Sequence, residues 1–116
     1  MHISFELDEF GRLKCELADG SSKATVSAAN MAVAVAELQR AMDDAQRTGT
    51  GDCWWLEGVG EYRWVIRRES QRATLVVLWS AGTLTGWEHV FWARADFDEL
   101  AASIRLSLAS LEVQAG

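Results

Sequence analysis

Alternating apolar and polar side chains occupy the start of the chain. Ile3, Phe5 and Leu7 are separated by polar residues, which is the period of a strand with one buried face. Residues 12–17 repeat this alternation after a turn at Gly11. The pattern predicts a β-hairpin as the first structural unit.

Two other stretches have the spacing of amphipathic helices. The first is predicted to begin near Ser27, whose hydroxyl can cap free backbone N–H groups, and to end at Gly49. The second is predicted to begin at Asp96, because Asp96 and Glu99 have the spacing of a capping box. The apolar stripes are Met31, Val35, Leu38 and Met42 in the first helix, and Phe97, Leu100, Ala101, Ile104, Leu108 and Leu111 in the second.

Between the predicted helices, residues 54–92 contain all six tryptophans. Strand-like segments at 53–57, 62–67, 73–79 and 87–94 are separated by turn residues at 58–61, 70–71 and 81–85, which predicts an antiparallel meander. Residues 73–79 are apolar on both faces, as in a central strand. Alternation in the last strand assigns Trp87, His89 and Phe91 to one face and Glu88, Val90, Trp92 and Arg94 to the other.

These elements predict a single α+β domain over residues 1–116, in the order ββαββββα. We expect an antiparallel sheet of about six strands with the two helices packed on one face. Two helices can cover one face of such a sheet, so the opposite face is expected to be open. The alternative is that both faces are covered internally.

The open face would carry the residues that bind a partner. Trp54 and Trp55 are adjacent in a strand and must point to opposite faces, while Arg63 and Arg67 alternate outward. Exposed Trp and Arg together are the residue types of interaction hot spots, and an exposed apolar patch indicates a partner or self-association. We therefore assign partner binding to Trp55, Arg63, Val65, Arg67 and Glu88.

The net charge of −6 narrows the range of partners. An acidic surface repels phosphate backbones, which argues against a general nucleic-acid-binding protein. The same field would steer a basic protein partner, although acidity can also serve solubility alone. The content of 49% apolar and 24% charged residues is ordinary for a globular protein.

Reactive residue types are few and have no recognisable spacing. Cys15 and Cys53 lie in apolar, strand-like contexts and are predicted to be buried free thiols. Together with His2 and His89 they match no zinc pattern, so we expect no metal and no cofactor. Histidine is the side chain best suited to general-base chemistry near neutral pH, but no catalytic spacing surrounds His89.

Carboxylates give the one enzymatic alternative. Glu57, Glu61, Glu69 and Glu88 lie on or beside the meander, where a pair at suitable separation could perform glycosidase-type acid/base chemistry. Carboxylates on the solvent side of a sheet are far more common, so we expect a protein that is not an enzyme. The chain has no signal-peptide pattern and no apolar run of membrane-spanning length, so we expect a cytoplasmic protein without membrane association.

One segment resembles a known type of protein. Gly60, Glu61, Tyr62, Arg63 and Trp64 form a turn-and-strand motif, and the apolar strand that follows ends in Trp79. The motif, with the hairpin and helix before it, resembles small acidic uncharacterised bacterial proteins that are similar in style to toxin-immunity proteins. Val59 stands where that type has proline. The resemblance implies a partner that is a bacterial toxin, and it implies no catalytic residue.

Three functions therefore remain open. The first is a non-enzymatic protein-binding module, an immunity protein that neutralises a bacterial toxin by direct binding. The second is a homodimeric structural or regulatory domain that buries its open face against a second copy. The third is a small-molecule-binding domain with a pocket between sheet and helices.

Overall fold

The computed structural model describes residues 1–20, 22–82 and 86–115, except for the side chains of 112–115. The elements are β1 His2–Leu7, β2 Leu13–Asp19, β3 Ser22–Ala28, α1 Met31–Thr48, β4 Thr50–Glu57, β5 Gly60–Glu69, β6 Arg72–Ser80, β7 Glu88–Asp96 and α2 Phe97–Ala115. The strands form two antiparallel sheets, with orders β1-β2-β3 and β4-β5-β6-β7. The predicted α+β class, with antiparallel pairing and two helices, is confirmed.

The strand count and the number of sheets differ from the prediction because β3 was not expected. Ser22–Ala28 pairs along β2, from Asp19↔Ser22 to Leu13↔Ala28. Its buried side chains are Val26 and Ala28, and small residues give only a weak strand signal. Helix α1 consequently begins at Met31 rather than near Ser27. Its cap is Asn30, whose side chain accepts a hydrogen bond from the Val33 N–H at 3.1 Å.

The four-stranded sheet is the predicted meander. Its strands follow one another in chain order, and Ser70 makes the tight β5–β6 turn with a positive φ of 57°. The turn predicted at 81–85 lies partly outside the described residues. The predicted end of the first helix is confirmed, because Gly49 adopts a left-handed conformation and its N–H donates to the Ala45 carbonyl at 2.9 Å.

One continuous core joins both sheets and both helices. Helix α1 lies directly on β4, where a Cβ at Gly51 would come within 1.9 Å of the Ala41 carbonyl oxygen. Helix α2 packs on β1, and the Ser107 hydroxyl donates to the Ile3 carbonyl at 2.6 Å. The ring of Trp55 reaches across to Phe5, with the centroids 6.2 Å apart. Both helices pack against the inner side of the four-stranded sheet, α1 on β4 and β5 and α2 on β6 and β7.

The outer edge of β4 is also covered. The Ala29 N–H, just after β3, donates to the Leu56 carbonyl at 3.0 Å. Two turns along α1, Arg40 donates to the Asp52 carbonyl at 3.1 Å. Two carbonyls on this edge strand, those of Asp52 and Leu56, are therefore bonded within the fold.

Strand β7 contains a register shift that changes the predicted faces. Phe91 is opposite Val77, but His89 is opposite Leu78, so Val90 is an additional residue at a β-bulge. Before the bulge, Glu88 is opposite Trp79. Glu88 and His89 thus exchange the faces that simple alternation assigned to them.

Candidate protein-binding face

The outer side of the four-stranded sheet forms a surface that we call the open face. Cross-strand pairing sets its side chains in rows, one of which is Asp52–Val65–Val76–Trp92. A neighbouring row is Trp54–Arg63–Leu78, and another is Arg67–Thr74–Arg94. The open face comprises Asp52, Trp54, Arg63, Val65, Arg67, Thr74, Val76, Leu78, His89, Trp92 and Arg94, and it is flanked at one end by the row Glu69–Arg72–Asp96.

Over the described residues, both helices bury their apolar stripes in the core on the other side of the sheet. Solvent therefore reaches the open face, and two large aromatic side chains remain exposed there. Trp92 is 53% exposed and Trp54 is 38% exposed. By contrast Trp64, on the inner side of the central strand β5, is completely buried.

Strand β5 shows why this division arises. Trp64 and Ile66 point into the core, so the residues between them must point outward. Arg63, Val65 and Arg67 accordingly lie on the open face, as the alternation predicted. Their role in binding a partner remains a prediction.

The placement of Trp55 on this face was wrong. Its side chain is 1% exposed, and its indole N–H donates to the Ala34 carbonyl at 3.1 Å. The ring packs on Trp64, with the centroids 4.8 Å apart. Trp54 occupies the open face instead, because α1 packs on the side of β4 to which Trp55 points. Sequence alone could show that the two rings diverge, but not which one the helix would cover.

Glu88 is also displaced from the predicted face. Although it is exposed, the β-bulge pairs it with Trp79, which belongs to the inner rows of the sheet. His89 takes the position opposite Leu78.

Two residues of the open face, Trp92 and Arg94, were not among the predicted partner-binding residues, although alternation assigned them to the same face of the last strand as Glu88. Trp92 and Arg94 are two residues apart, and this spacing could have indicated that both lie on one face of the strand.

An acidic side chain holds two arginines of the open face in place. The Asp52 carboxylate accepts hydrogen bonds from Arg63 at 2.5 Å and from Arg67 at 2.8 Å. Partial burial alone would raise the pKa of Asp52, but the hydrogen bonds from Arg67 and Arg63 outweigh it and lower the pKa. The Arg63 guanidinium also lies over the Trp54 ring, 5.3 Å from its centroid.

The open face differs in charge from the rest of the molecule. Its three arginines and one aspartate give it a formal charge of +2, whereas the flanking row Glu69–Arg72–Asp96 carries −1 and the whole chain carries −6. A partner that contacts this face meets aromatic and guanidinium groups, while the approach to the molecule as a whole is governed by its negative charge.

A second concave region lies beside the open face, between α1 and β4. This cleft of about 410 Å³ has mostly apolar walls, which include Trp54, Leu56 and Val33. Its polar groups are already used within the fold: Asn30 caps α1, and Glu37 accepts from Arg40 at 2.9 Å. The cleft offers space to a small molecule but few groups that would orient it.

Both cysteines are inaccessible, and one of the meander carboxylates is engaged within the fold. Cys15 and Cys53 are free and buried, as predicted, and burial raises the pKa of both thiols. Glu57 is bound by Arg12 and accepts from the Ser27 hydroxyl at 2.5 Å. Over the described part of the chain, no group of three or more His, Cys, Asp or Glu side chains is placed to hold a metal ion.

Comparisons with protein-family models, with curated proteins and with solved structures found no match for this chain. Of the helices in the described residues, none has both the length and the hydropathy needed to cross a membrane.

Proposed function

We propose that this protein is a non-enzymatic protein-binding module, and that the open face is its binding surface. The observation that carries the proposal is the pair of exposed tryptophans, Trp54 and Trp92, on a sheet face that neither helix covers. When a partner binds, the exposed 38% of Trp54 and 53% of Trp92 can still be removed from water. Burial of this remaining apolar surface favours association.

The arrangement around these rings supports the same function. Asp52 fixes Arg63 and Arg67, and Arg63 in turn lies over Trp54. Side chains that are already held in place lose little conformational entropy when a partner binds. Trp and Arg are also the residues that most often dominate interface energies. The open face is therefore preorganised for protein recognition.

The partner we infer is a bacterial toxin, which the protein neutralises in the cytoplasm by covering its active site. The Gly60–Trp64 motif and its resemblance to immunity proteins support this choice. The charge distribution defines the toxin further: a basic protein would be attracted by the overall charge of −6. A cluster of carboxylates at its active site would then meet the arginines of the open face.

The charges also favour this proposal over a homodimer. Two copies joined through their open faces would bring six arginines together with two aspartates, since each face carries three arginines and one aspartate. Like charges at an interface disfavour association. A different protein with acidic contact residues fits the face better than a second copy does.

The test is size-exclusion chromatography with light scattering, on the protein alone and mixed with the purified product of the adjacent gene. We expect a monomer alone and a one-to-one complex in the mixture. Trp92→Ala should weaken the complex, whereas Phe10→Ala, which removes an aromatic ring that is 81% exposed in the β1–β2 turn, should not. A homodimer that ignores the neighbouring gene product would contradict the proposal.

A further inference from the structure

We propose that Arg67, Thr74 and Arg94 form a site, completed by Arg72, that binds a carboxylate of the partner protein. The inference rests on the proposed function of the open face as a protein-binding surface. It adds the chemical identity of the group that is recognised and the corner of the sheet where this occurs.

Strand pairing creates the site. Thr74 on β6 is opposite Arg67 on β5 and also opposite Arg94 on β7. A hydroxyl is thus flanked by two guanidinium side chains on neighbouring strands, which lie roughly 5 Å apart in a sheet. Arg72 is two residues before Thr74, on the same side of β6. These four residues and Glu69 line one surface depression of about 180 Å³.

The arginines of this corner are largely unoccupied by partners from their own chain. Within the described residues, Arg72 and Arg94 form no ion pair or side-chain hydrogen bond. Arg67 uses Nη1 for Asp52, at 2.8 Å, and for the Ile66 carbonyl, at 3.3 Å. In contrast, the helix arginines Arg40 and Arg47 are paired with acidic residues. Arg72 and Arg94 are thus left without an ion pair in the described part of the chain, although Glu69 and Asp96 lie opposite Arg72 on the neighbouring strands.

A carboxylate fits this corner better than a phosphate backbone does. Guanidinium groups bind carboxylates in a planar, bidentate geometry, and the Thr74 hydroxyl can donate a further hydrogen bond. Glu69 lies in the same depression and reduces its positive charge. A nucleic-acid backbone extends far beyond the corner and would meet a surface that carries the remaining negative charge of the chain.

Trp92 adds an apolar contact surface beside the carboxylate site. It precedes Arg94 by two residues and therefore lies on the same side of β7, with 53% of its side chain exposed. An acidic residue of the partner that inserts at the corner would place its neighbouring apolar side chains near this ring. The expected contact segment of the partner thus combines a carboxylate with an apolar or aromatic residue.

The test uses defined probes and needs no natural partner. Isotope-labelled protein is titrated with acetylated tetraglutamate, with tetralysine, and with inorganic phosphate, while NMR follows the backbone N–H of Thr74 and the Nε–H of Arg67 and Arg94. We expect saturable shifts at these groups with tetraglutamate and none with tetralysine. Arg94→Glu should weaken the binding by about tenfold or more, equivalent to roughly 1.4 kcal/mol or more.

A matched control separates local recognition from net charge. Arg47→Glu makes the same change in total charge on an α1 side chain that is 73% exposed. It should leave tetraglutamate binding within about twofold of the original protein. Equal losses in the two variants, the absence of shifts at the corner, or binding of phosphate without tetraglutamate would each overturn the carboxylate site.

The outcomes also separate this inference from the proposed function. If the adjacent gene product binds and Arg94→Glu does not weaken that complex, the carboxylate site is wrong and the protein-binding function stands. If tetraglutamate binds at the corner but the gene product does not bind, the carboxylate site stands and the choice of toxin is wrong.

Discussion

Trp54 and Trp55 are consecutive residues of β4, yet one is 38% exposed on the open face and the other is 1% exposed in the core. The peptide geometry of a strand forces this divergence, and the position of α1 decides its direction. The indole N–H of Trp55 is bonded to the α1 backbone at Ala34, whereas Trp54 lies against Arg63. Two identical side chains therefore have separate roles.

Alanine substitution should separate those roles. Trp55→Ala is expected to lower the free energy of unfolding by about 3–5 kcal/mol, since it leaves a cavity in the core. Trp54→Ala should lower it by about 1 kcal/mol or less, because the side chain is partly solvated. Urea denaturation followed by circular dichroism measures both values. Similar losses in the two variants would contradict the assignment of faces.

The contact between α1 and β4 predicts a strict requirement for glycine at position 51. A Cβ there would collide with the backbone of Ala41, which cannot move without shifting the helix. Gly51→Ala should therefore destabilise the protein by about 1–3 kcal/mol or more. Gly58→Ala is the matched control, because a Cβ at Gly58 meets nothing within 4 Å. Thermal unfolding of the two variants should show a large drop in Tm only for the first.

The ion pairs of Asp52 predict a pH dependence of stability. Its pKa in the folded protein lies below the ordinary value of 3.8, so the folded state binds fewer protons than the unfolded state in the acidic range. The stabilisation is complete at pH values above 3.8. It is lost as the pH falls through the lowered pKa that Asp52 has in the folded protein. Asp52→Asn should therefore be less stable than the original protein at neutral pH.

That difference between Asp52→Asn and the original protein should shrink as the pH is lowered. Urea denaturation at about pH 7 and at about pH 3 measures it, the second pH lying below the ordinary pKa of 3.8 at which the carboxylate of the unfolded chain is protonated. Val65→Ala, a neighbouring change without a charge, serves as the control. A difference that is constant with pH would show that the two arginines do not stabilise the fold through the Asp52 carboxylate.

Burial of the cysteines predicts that neither thiol reacts in the folded protein. The pKa of both is raised, so the thiolate is scarcely populated at neutral pH, and reagents have no access to the core. A chromogenic disulfide reagent should titrate no thiol under native conditions and two in urea. Rapid reaction of one thiol in the folded state would show that Cys15 or Cys53 lies in a more open environment.

Much of this fold could be predicted from local patterns. The alternation of β1, β2 and β5, the glycine that ends α1 and the apolar stripe of α2 each depend on neighbouring residues only. Strand β3 was not predicted, because its side chains are mainly alanine, serine and threonine. These residue types do not distinguish a strand from the start of a helix. Because β3 was not predicted, the separate three-stranded sheet to which it belongs was not predicted either.

The open face was predictable in kind but not in every residue. Arg63, Val65 and Arg67 follow directly from the alternation of β5. The position of Glu88 could not be predicted in this way. A single additional residue at Val90 shifts the register of β7, and no sequence signal marks that bulge. The exposure of Trp54 depended on how a helix docks on the sheet, which is a property of the assembled fold.

The coverage of the β4 edge limits how a partner can attach. The Ala29 N–H and the Arg40 guanidinium already bond to carbonyls along this strand. An incoming peptide on this side would have to displace them before it could extend the sheet by strand addition. A partner that approaches β4 would therefore meet the side chains of the open face rather than a free strand edge. The same two bonds also hinder edge-to-edge pairing between copies of the protein along β4.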